Sequence, residues 1–353
     1  MKFQSSLPLI AAAISTVFLL SSCATSQHKV ENPASVAPTK KYFSTAIPKE
    51  NLQLFETPDD KDSTVIAAIK GASRSIEVEV YELADPDVIG ALENAQKSGV
   101  QVRVILNHLD RFKKVANNET FQELKTAGVN VTYSSDNFRF THAKTILADS
   151  GFPDQKLLVM TLNLSPGYMG KGPASKISLN FGVVDTLNSD VEYAAKLFDA
   201  DWKQESFNAT EDGDLVVSPI DSRKRLVTQI KNAKHSVHFF AQELADKEII
   251  QAMVEAAQSG VEVEGLVSNL VTKKNVQPIE DAGGKILYLS KPYEHAKVTI
   301  IDGSAVYLGS INYTSTSIDK NREVGIISSD PQVVSAIVGK FDGFWSDGEP
   351  LPK

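Results

Sequence analysis

The strongest constraint on this 353-residue chain is that most of it is written twice. Glu82-Leu83-Ala84-Asp85 returns as Glu243-Leu244-Ala245-Asp246, and Ser98-Gly99-Val100 returns at the same offset as Ser259-Gly260-Val261. Ala127-Gly128 with Tyr133 reappears as Ala282-Gly283 with Tyr288. Phe198-Asp199-Ala200-Asp201-Trp202 closes the first copy, and Phe341-Asp342-Gly343-Phe344-Trp345 closes the second. A period this long implies two halves of one body about a pseudo-twofold axis, not a solenoid of small units. The halves are set at 46–210 and 211–348.

Each half reads as strand, helix, strand. Residues 75–81 alternate apolar Ile76, Val78 and Val80 with polar Glu77 and Glu79, the period of a half-buried strand. Asp85-Pro86 offers an N-cap followed by proline at the first helical position, and Gly99 ends the helix. Residues 100–106 resume as a strand. The second half repeats the pattern through 237–240, an Asp246-capped helix ending at Gly260, and 261–267. Strands alternating with helices argue for α/β layers on a mainly parallel sheet.

Within the copies lies a second match. His142-Ala143-Lys144 is followed by Asp149, and His295-Ala296-Lys297 by Asp302 at the same interval. Downstream stand Met160-Thr161-Leu162-Asn163 and Gly309-Ser310-Ile311-Asn312. Each histidine leads into a strand-like run, 145–147 and 298–301, so strand ends facing the other lobe would form a shared site.

This pattern resembles the phospholipase D superfamily, whose paired His-Lys-Asp motifs meet at one phosphodiester-cleaving site. The resemblance covers nearly all of the chain after residue 45. It implies a phospholipase D-like α/β fold of two similar α/β/α lobes, with His142 as nucleophile and His295 as general acid/base. Residue chemistry alone leaves the order of the histidines open. The resemblance further implies that Glu323, in Asn321-Arg322-Glu323, hydrogen-bonds an active-site imidazole; Asn180 occupies its aligned position in the first half. An amide fixes a ring's tautomer but stabilises an imidazolium less than a carboxylate does, so the two rings are expected to differ in basicity.

Two imidazoles suit a phosphodiester because the phosphorus is anionic and the leaving group poor. One displaces the alkoxide to give a phosphohistidine, and the other supplies and then removes a proton. Lys144, Lys297, Asn163 and Asn312 are expected to hold the non-bridging oxygens, with the Thr161 and Ser310 hydroxyls as further donors. Two ammonium groups supply the positive field, so no metal or other cofactor is expected. Asp149 and Asp302 read as turn-capping residues. The segment 165–176, longer than its counterpart, reads as a surface connection or as a lip whose Tyr168 and Met169 touch acyl chains.

The start of the chain speaks to location. Met1-Lys2, an apolar run over 7–20 and then Leu20-Ser21-Ser22-Cys23 read as a secretory signal over 1–22 ending in a segment that resembles the bacterial lipoprotein box. Cys23 is the only cysteine. Lipidated, it leaves no free thiol, and residues 23–45 read as a flexible tether. In diderm lipoproteins, which this segment resembles, Ala24 in place of Asp at the next position implies the outer membrane, facing the periplasm.

The formal net charge is −8, without a dense basic block. This disfavours nucleic acid as the substrate, because nonspecific binding neutralises several phosphates at once. The leading reading is a lipid-anchored phosphodiesterase that hydrolyses phospholipid head groups. A cardiolipin synthase-like transphosphatidylase and an extracytoplasmic nuclease are the alternatives, and a catalytically dead scaffold is the last. Both halves lie on one chain, so no obligate protein partner is expected.

Overall fold

The computed structural model describes residues 52–60, 62–207 and 213–352. The leader, the tether and Cys23 lie outside the described residues. Among the described residues no helix is long and apolar enough to cross a membrane.

The first lobe is built on strands β1 (Leu52–Thr57), β2 (Ser75–Val80), β3 (Gln101–Leu106), β4 (Asn130–Tyr133), β5 (Lys144–Ala148), β6 (Lys156–Met160) and β7 (Ser178–Asp185). Their order in the sheet is β1-β7-β6-β5-β2-β3-β4. The second lobe uses β8 (Leu215–Ser218), β9 (Ser236–Ala241), β10 (Glu262–Val267), β11 (Lys285–Tyr288), β12 (Tyr293–Glu294), β13 (Lys297–Ile301), β14 (Ala305–Gly309) and β15 (Glu323–Ser328). Its order, β11-β10-β9-β13-β14-β15-β8, mirrors the first, while β12 crosses over to pair with β7.

The sheets are mixed, not mainly parallel. Only β2-β3-β4 and β9-β10-β11 run parallel in the two main ladders; the remaining pairs are antiparallel. The helical crossovers stop after the third strand of each run. Beyond them β5 and β6, like β13 and β14, are joined by short connections without a helix, which yield antiparallel neighbours.

The helix signals act as the sequence implies. Asp85 accepts from the Asp87 and Val88 amides to start helix Pro86–Lys97, and Asp246 accepts from Glu248 and Ile249 to start Lys247–Gln258. Gly99 and Gly260 then take φ of 92° and 88°, a left-handed turn that glycine adopts at little steric cost.

Each sheet carries helices on its outer face, forming one apolar core per lobe. A third core joins the inner faces, where β14 and β15 pack across β5, β6 and β7 and helices Asn188–Lys203 and Pro331–Trp345 contribute. Strand β2 is thus covered on both sides, and Glu77 and Glu79 are buried despite the alternating pattern. The period of two was real, but the polar face looks into the molecule.

Candidate active site

A reciprocal exchange between the lobes builds the site. The segment leading to His142 runs parallel to the one leading to Glu323: Thr141 bridges Arg322, and the His142 amide donates to the Arg322 carbonyl at 2.8 Å. The segment leading to His295 likewise runs parallel to the start of β7, pairing Glu294 with Leu179. Each histidine is thereby set beside a side chain of the opposite lobe. His142 Nδ1 lies 2.8 Å from Glu323 Oε2, and His295 Nδ1 lies 2.7 Å from Asn180 Oδ1.

The networks behind these contacts fix the tautomers. Glu323 also accepts from the Ser317 hydroxyl and from Asn321 Nδ2 at 3.0 Å, so His142 Nδ1 is the donor. Asn180 Nδ2 donates to Ser178 Oγ at 2.9 Å, turning its oxygen toward His295. The His295 Nδ1–H therefore donates as well. In both rings Nε2 is the nitrogen left for chemistry. Tyr81 packs edge-on to His142 at 5.0 Å between centroids, and Tyr168 lies 4.4 Å from His295.

Both rings line one cavity of about 540 Å³, together with Asn163, Asn312, Glu82 and Glu243. Burial pushes His142 below the ordinary histidine value, and the Glu323 carboxylate opposes the shift. Burial pushes His295 well below it, and Lys297, Lys144 and His142 push further in the same direction. Burial drives Glu323 up, but His142 and Lys144 outweigh it and hold the carboxylate below its usual value.

Lys144 and Lys297 are fully buried, and each ammonium donates to the carbonyl of its own motif histidine, Lys144 at 2.7 Å. Desolvation pushes Lys144 well down and Lys297 to about 7. The positive field is therefore conditional, strengthening when an anion enters and draws protons onto the amines.

The other expected residues divide. Asn163 and Asn312 face the cavity, and each has an Oδ1 without a hydrogen-bond partner among the described residues. Asn312 Nδ2 reaches Glu243 at 3.3 Å. Thr161 and Ser310 are not substrate donors. The Thr161 hydroxyl donates to Asn180 Oδ1 at 3.2 Å and accepts from the Phe181 amide, so it braces the partner of His295. The Ser310 hydroxyl exchanges hydrogen bonds with the Val324 carbonyl and amide, because a hydroxyl at a strand edge completes the ladder there.

Asp149 and Asp302 have structural placements, although they do more than cap their own turns. Asp149 accepts from the amides of Ser73, Arg74 and Ser75, and Asp302 from those of Lys234, His235 and Ser236. Each pins the loop entering an interior strand of its lobe, β2 or β9, from a left-handed backbone, with φ of 51° and 54°. Segment 165–176 is not a free connection: the Tyr168 ring lines the catalytic cavity, as the lip reading expected, but Met169 does not. Met169 is fully buried in the first lobe's core, and the Tyr168 carbonyl accepts from Thr57 Oγ1 at 2.8 Å.

Sequence reasoning did not assign Glu82 and Glu243 to the site, although their repeated Glu-Leu-Ala-Asp context carried the signal. Tyr81, Arg111 and Arg139 also line the cavity, and nothing in the repeat marks the two arginines. Among the described residues, the one carboxylate cluster spaced for a metal is Asp62, Asp85 and Asp87, away from this cavity. Lys171 already sits among them, 2.9 Å from Asp85 and 2.6 Å from Asp87.

The geometry defines a two-lobed site of the phospholipase D type. The chain belongs to that superfamily: residues 65–202 and 226–345 match the family described as cardiolipin synthase, PLD-like domain. It is 24% identical to polyphosphate kinase of Escherichia coli (strain K12) over 289 residues, 77% of this chain but 41% of that protein. The chain thus spans about two-fifths of the length of that relative. It is 25% identical to cardiolipin synthase of Halalkalibacterium halodurans over 327 residues, 78% of this chain and 62% of the relative. The fold is similar to the solved phosphatidylserine synthase of Haemophilus influenzae Rd KW20, with a TM-score of 0.63 at 12% identity, covering 84% of this chain and 87% of that one.

Proposed function

We propose that this protein cleaves phospholipid phosphodiesters through a phosphohistidine on His142. The observation that carries the proposal is the reciprocal seating of two buried histidines in one cavity, one backed by a carboxylate and the other by an amide. His142 Nε2, unprotonated at neutral pH, attacks phosphorus. The bond to the head-group oxygen breaks, and the departing alkoxide takes the proton from His295 Nε2, which protonates as the anionic substrate enters. The imidazole bearing phosphorus gains positive charge, and Glu323 offsets it through Nδ1. In the second half, the oxygen of a water bonds to phosphorus as His295 takes its proton, the P–N bond breaks to free His142, and phosphatidate leaves. Lys144, Lys297 and the Asn163 and Asn312 amides serve the non-bridging oxygens as charge builds. Acid–base assistance of this kind contributes about a hundred- to ten-thousand-fold.

A second reading differs only in the acceptor. The match to a cardiolipin synthase family favours a lipid alcohol in place of water. Cleavage of nucleic acid is disfavoured by a cavity that mixes Arg111 and Arg139 with Glu82 and Glu243. In the same reading, acylated Cys23 holds the protein on the periplasmic face of an outer membrane; loss of fatty-acid labelling in Cys23→Ala tests that anchor.

Phosphorus-labelled phosphatidylglycerol, mixed with pure protein and quenched rapidly, tests the chemistry. Wild type should acquire acid-labile label, His142→Ala none, and His295→Ala a slowly released one. Phosphatidate as product identifies water as acceptor, and a new diester in the presence of glycerol or phosphatidylglycerol identifies an alcohol. Label that persists in His142→Ala would overturn the assignment.

A further inference from the structure

Among the described residues five large apolar side chains stand exposed; one of them, Leu270, lines the catalytic cavity, and two more, Phe112 and Val115, stand on the loop whose Arg111 lines it. Phe112 is 68% exposed, Val115 50% and Leu270 52%. Leu270 lines the cavity from the second lobe, and Arg111, whose guanidinium lies 4.8 Å from the Phe112 ring, lines it from the first. Lys113 and Lys114, both exposed, complete the tip. Arg139 connects the catalytic cavity to its neighbour, which Lys113 and Lys320 line.

The tip is a built finger, not a loose loop. Leu109 and Val115 form an antiparallel bridge, and the Asp110 carboxylate accepts from the Phe112 and Lys114 amides at 2.8 and 2.9 Å. Lys113 turns the chain with a left-handed φ of 62°. At the base, Asn117 donates to the Tyr81 carbonyl at 2.9 Å and accepts from the Leu83 amide. The finger is therefore fastened to the residue that packs on His142. The second copy has only the short connection that carries Leu270, so the finger belongs to one lobe.

We infer that this finger, with Leu270, docks the cavity mouth on an anionic lipid bilayer. The inference rests on the phospholipid reading for its purpose, but the surface argues for itself. A strongly acidic chain has gathered Arg111, Lys113 and Lys114 around an exposed phenylalanine, the pairing that suits an anionic interface. Val115 and Leu270 are aliphatic and offer nothing for a base to stack on, whereas acyl chains accept them. A preformed finger also loses little conformational freedom on insertion.

Cys23 is the only thiol, so Cys23→Ser/Phe112→Cys and Cys23→Ser/Phe152→Cys full chains each take one environment-sensitive fluorophore. Phe152 is an exposed aromatic in the turn at the far end of β5 from His142. With phosphatidylglycerol vesicles, the label at 112 should shift to the blue and be quenched by brominated acyl chains, and the label at 152 should do neither. Lys113→Glu/Lys114→Glu should weaken vesicle binding by about fivefold per cation lost while leaving cleavage of a short-chain, monomeric phosphatidylglycerol unchanged. An unresponsive label at 112, equal responses at 112 and 152, or a larger response to single-stranded DNA than to vesicles would overturn the docking surface. Cleavage of the monomeric diester with a silent label would remove the surface alone. Insertion without cleavage of any diester would support the surface and remove the phospholipase reading.

Discussion

The pseudo-twofold axis relates two halves of one site that are alike in backbone and opposed in chemistry. On the His142 side, Glu79, Asp201 and Arg322 form a buried charged cluster, with Arg322 2.9 Å from Asp201 and Thr141 donating to Glu79. The matched register puts Phe240 and Leu179, and the sequence repeat puts Phe344, at the corresponding positions on the His295 side, where Phe240 and Leu179 join the central apolar core and the half-buried Phe344 packs against it. Thr141 itself is replaced by Glu294, whose carboxyl oxygens have no hydrogen-bond partner among the described residues. The frame that seats the rings is shared by the two lobes, whereas one ring faces a carboxylate and the other an amide.

The largest expected effect comes from breaking the charged side. Burial and the nearby Asp201 push Glu79 up, so that it holds a proton, while Arg322 supports the Asp201 carboxylate. Arg322→Leu strips that support and should cost about 3–5 kcal/mol in urea unfolding. Importing the whole apolar side, as Glu79→Phe/Asp201→Phe/Arg322→Leu, should recover most of the loss, since apolar packing often replaces buried ion pairs at little cost. If the triple variant is as unstable as the single one, the two sides are not interchangeable and the comparison fails.

Lys297 sharpens the comparison through pH. Its value of about 7 in the folded chain lies below the ordinary 10.5, so between these limits the native state binds fewer protons here than the unfolded chain. The cost of burying the amine is therefore full at low pH and fades as pH rises toward 10.5. Lys297→Met should stabilise more at pH 7 than at pH 9, by on the order of 2 kcal/mol. Lys144 is depressed by desolvation and by Lys297, with fewer carboxylates opposing, so Lys144→Met should show a gain that extends to lower pH. A gain independent of pH in both variants would show that the lysines are not buried as charges.

Much of this frame was legible in the sequence, because repetition shows when two copies share a physical need. Asp85 with Asp246, Gly99 with Gly260, and the two His-x-Lys motifs each mark a cap, a left-handed turn or a ring that both lobes require. Asn180 and Glu323 could be aligned, but the exchange of partners could not be read, since it depends on parallel pairing between segments more than a hundred residues apart. Thr161 and Ser310 misled for the opposite reason: a hydroxyl beside a catalytic motif looks the same in sequence whether it serves substrate or strand. The burial of Glu77 and Glu79 was hidden because alternation reports two faces without saying what covers each.

The partners themselves can be exchanged. Glu323→Gln makes His142 resemble His295 by removing the carboxylate that opposes its downward shift. The acidic limb of the kcat/KM profile that reports an unprotonated nucleophile should move to lower pH. Turnover should fall about ten- to a hundredfold with the lost charge-assisted contact. Asn180→Asp should act in the other direction, raising His295 and moving the basic limb to higher pH. A profile indifferent to both changes would mean that neither ring's titration governs the reaction.

Glu294 supplies the smallest effect and the most local test. Burial pushes its carboxyl well above the ordinary value, against the pull of Lys297. On the opposite side the equivalent Thr141 satisfies itself on Glu79, but Phe240 offers Glu294 no such partner. Glu294→Leu should therefore stabilise the fold by about 1 kcal/mol in urea unfolding, because it removes a desolvated polar group without opening a cavity. Glu294→Gln, which keeps the polar group, should not. If both variants are destabilised alike, the carboxyl has found a partner such as an ordered water, and the His295 side is less apolar than its neighbours make it.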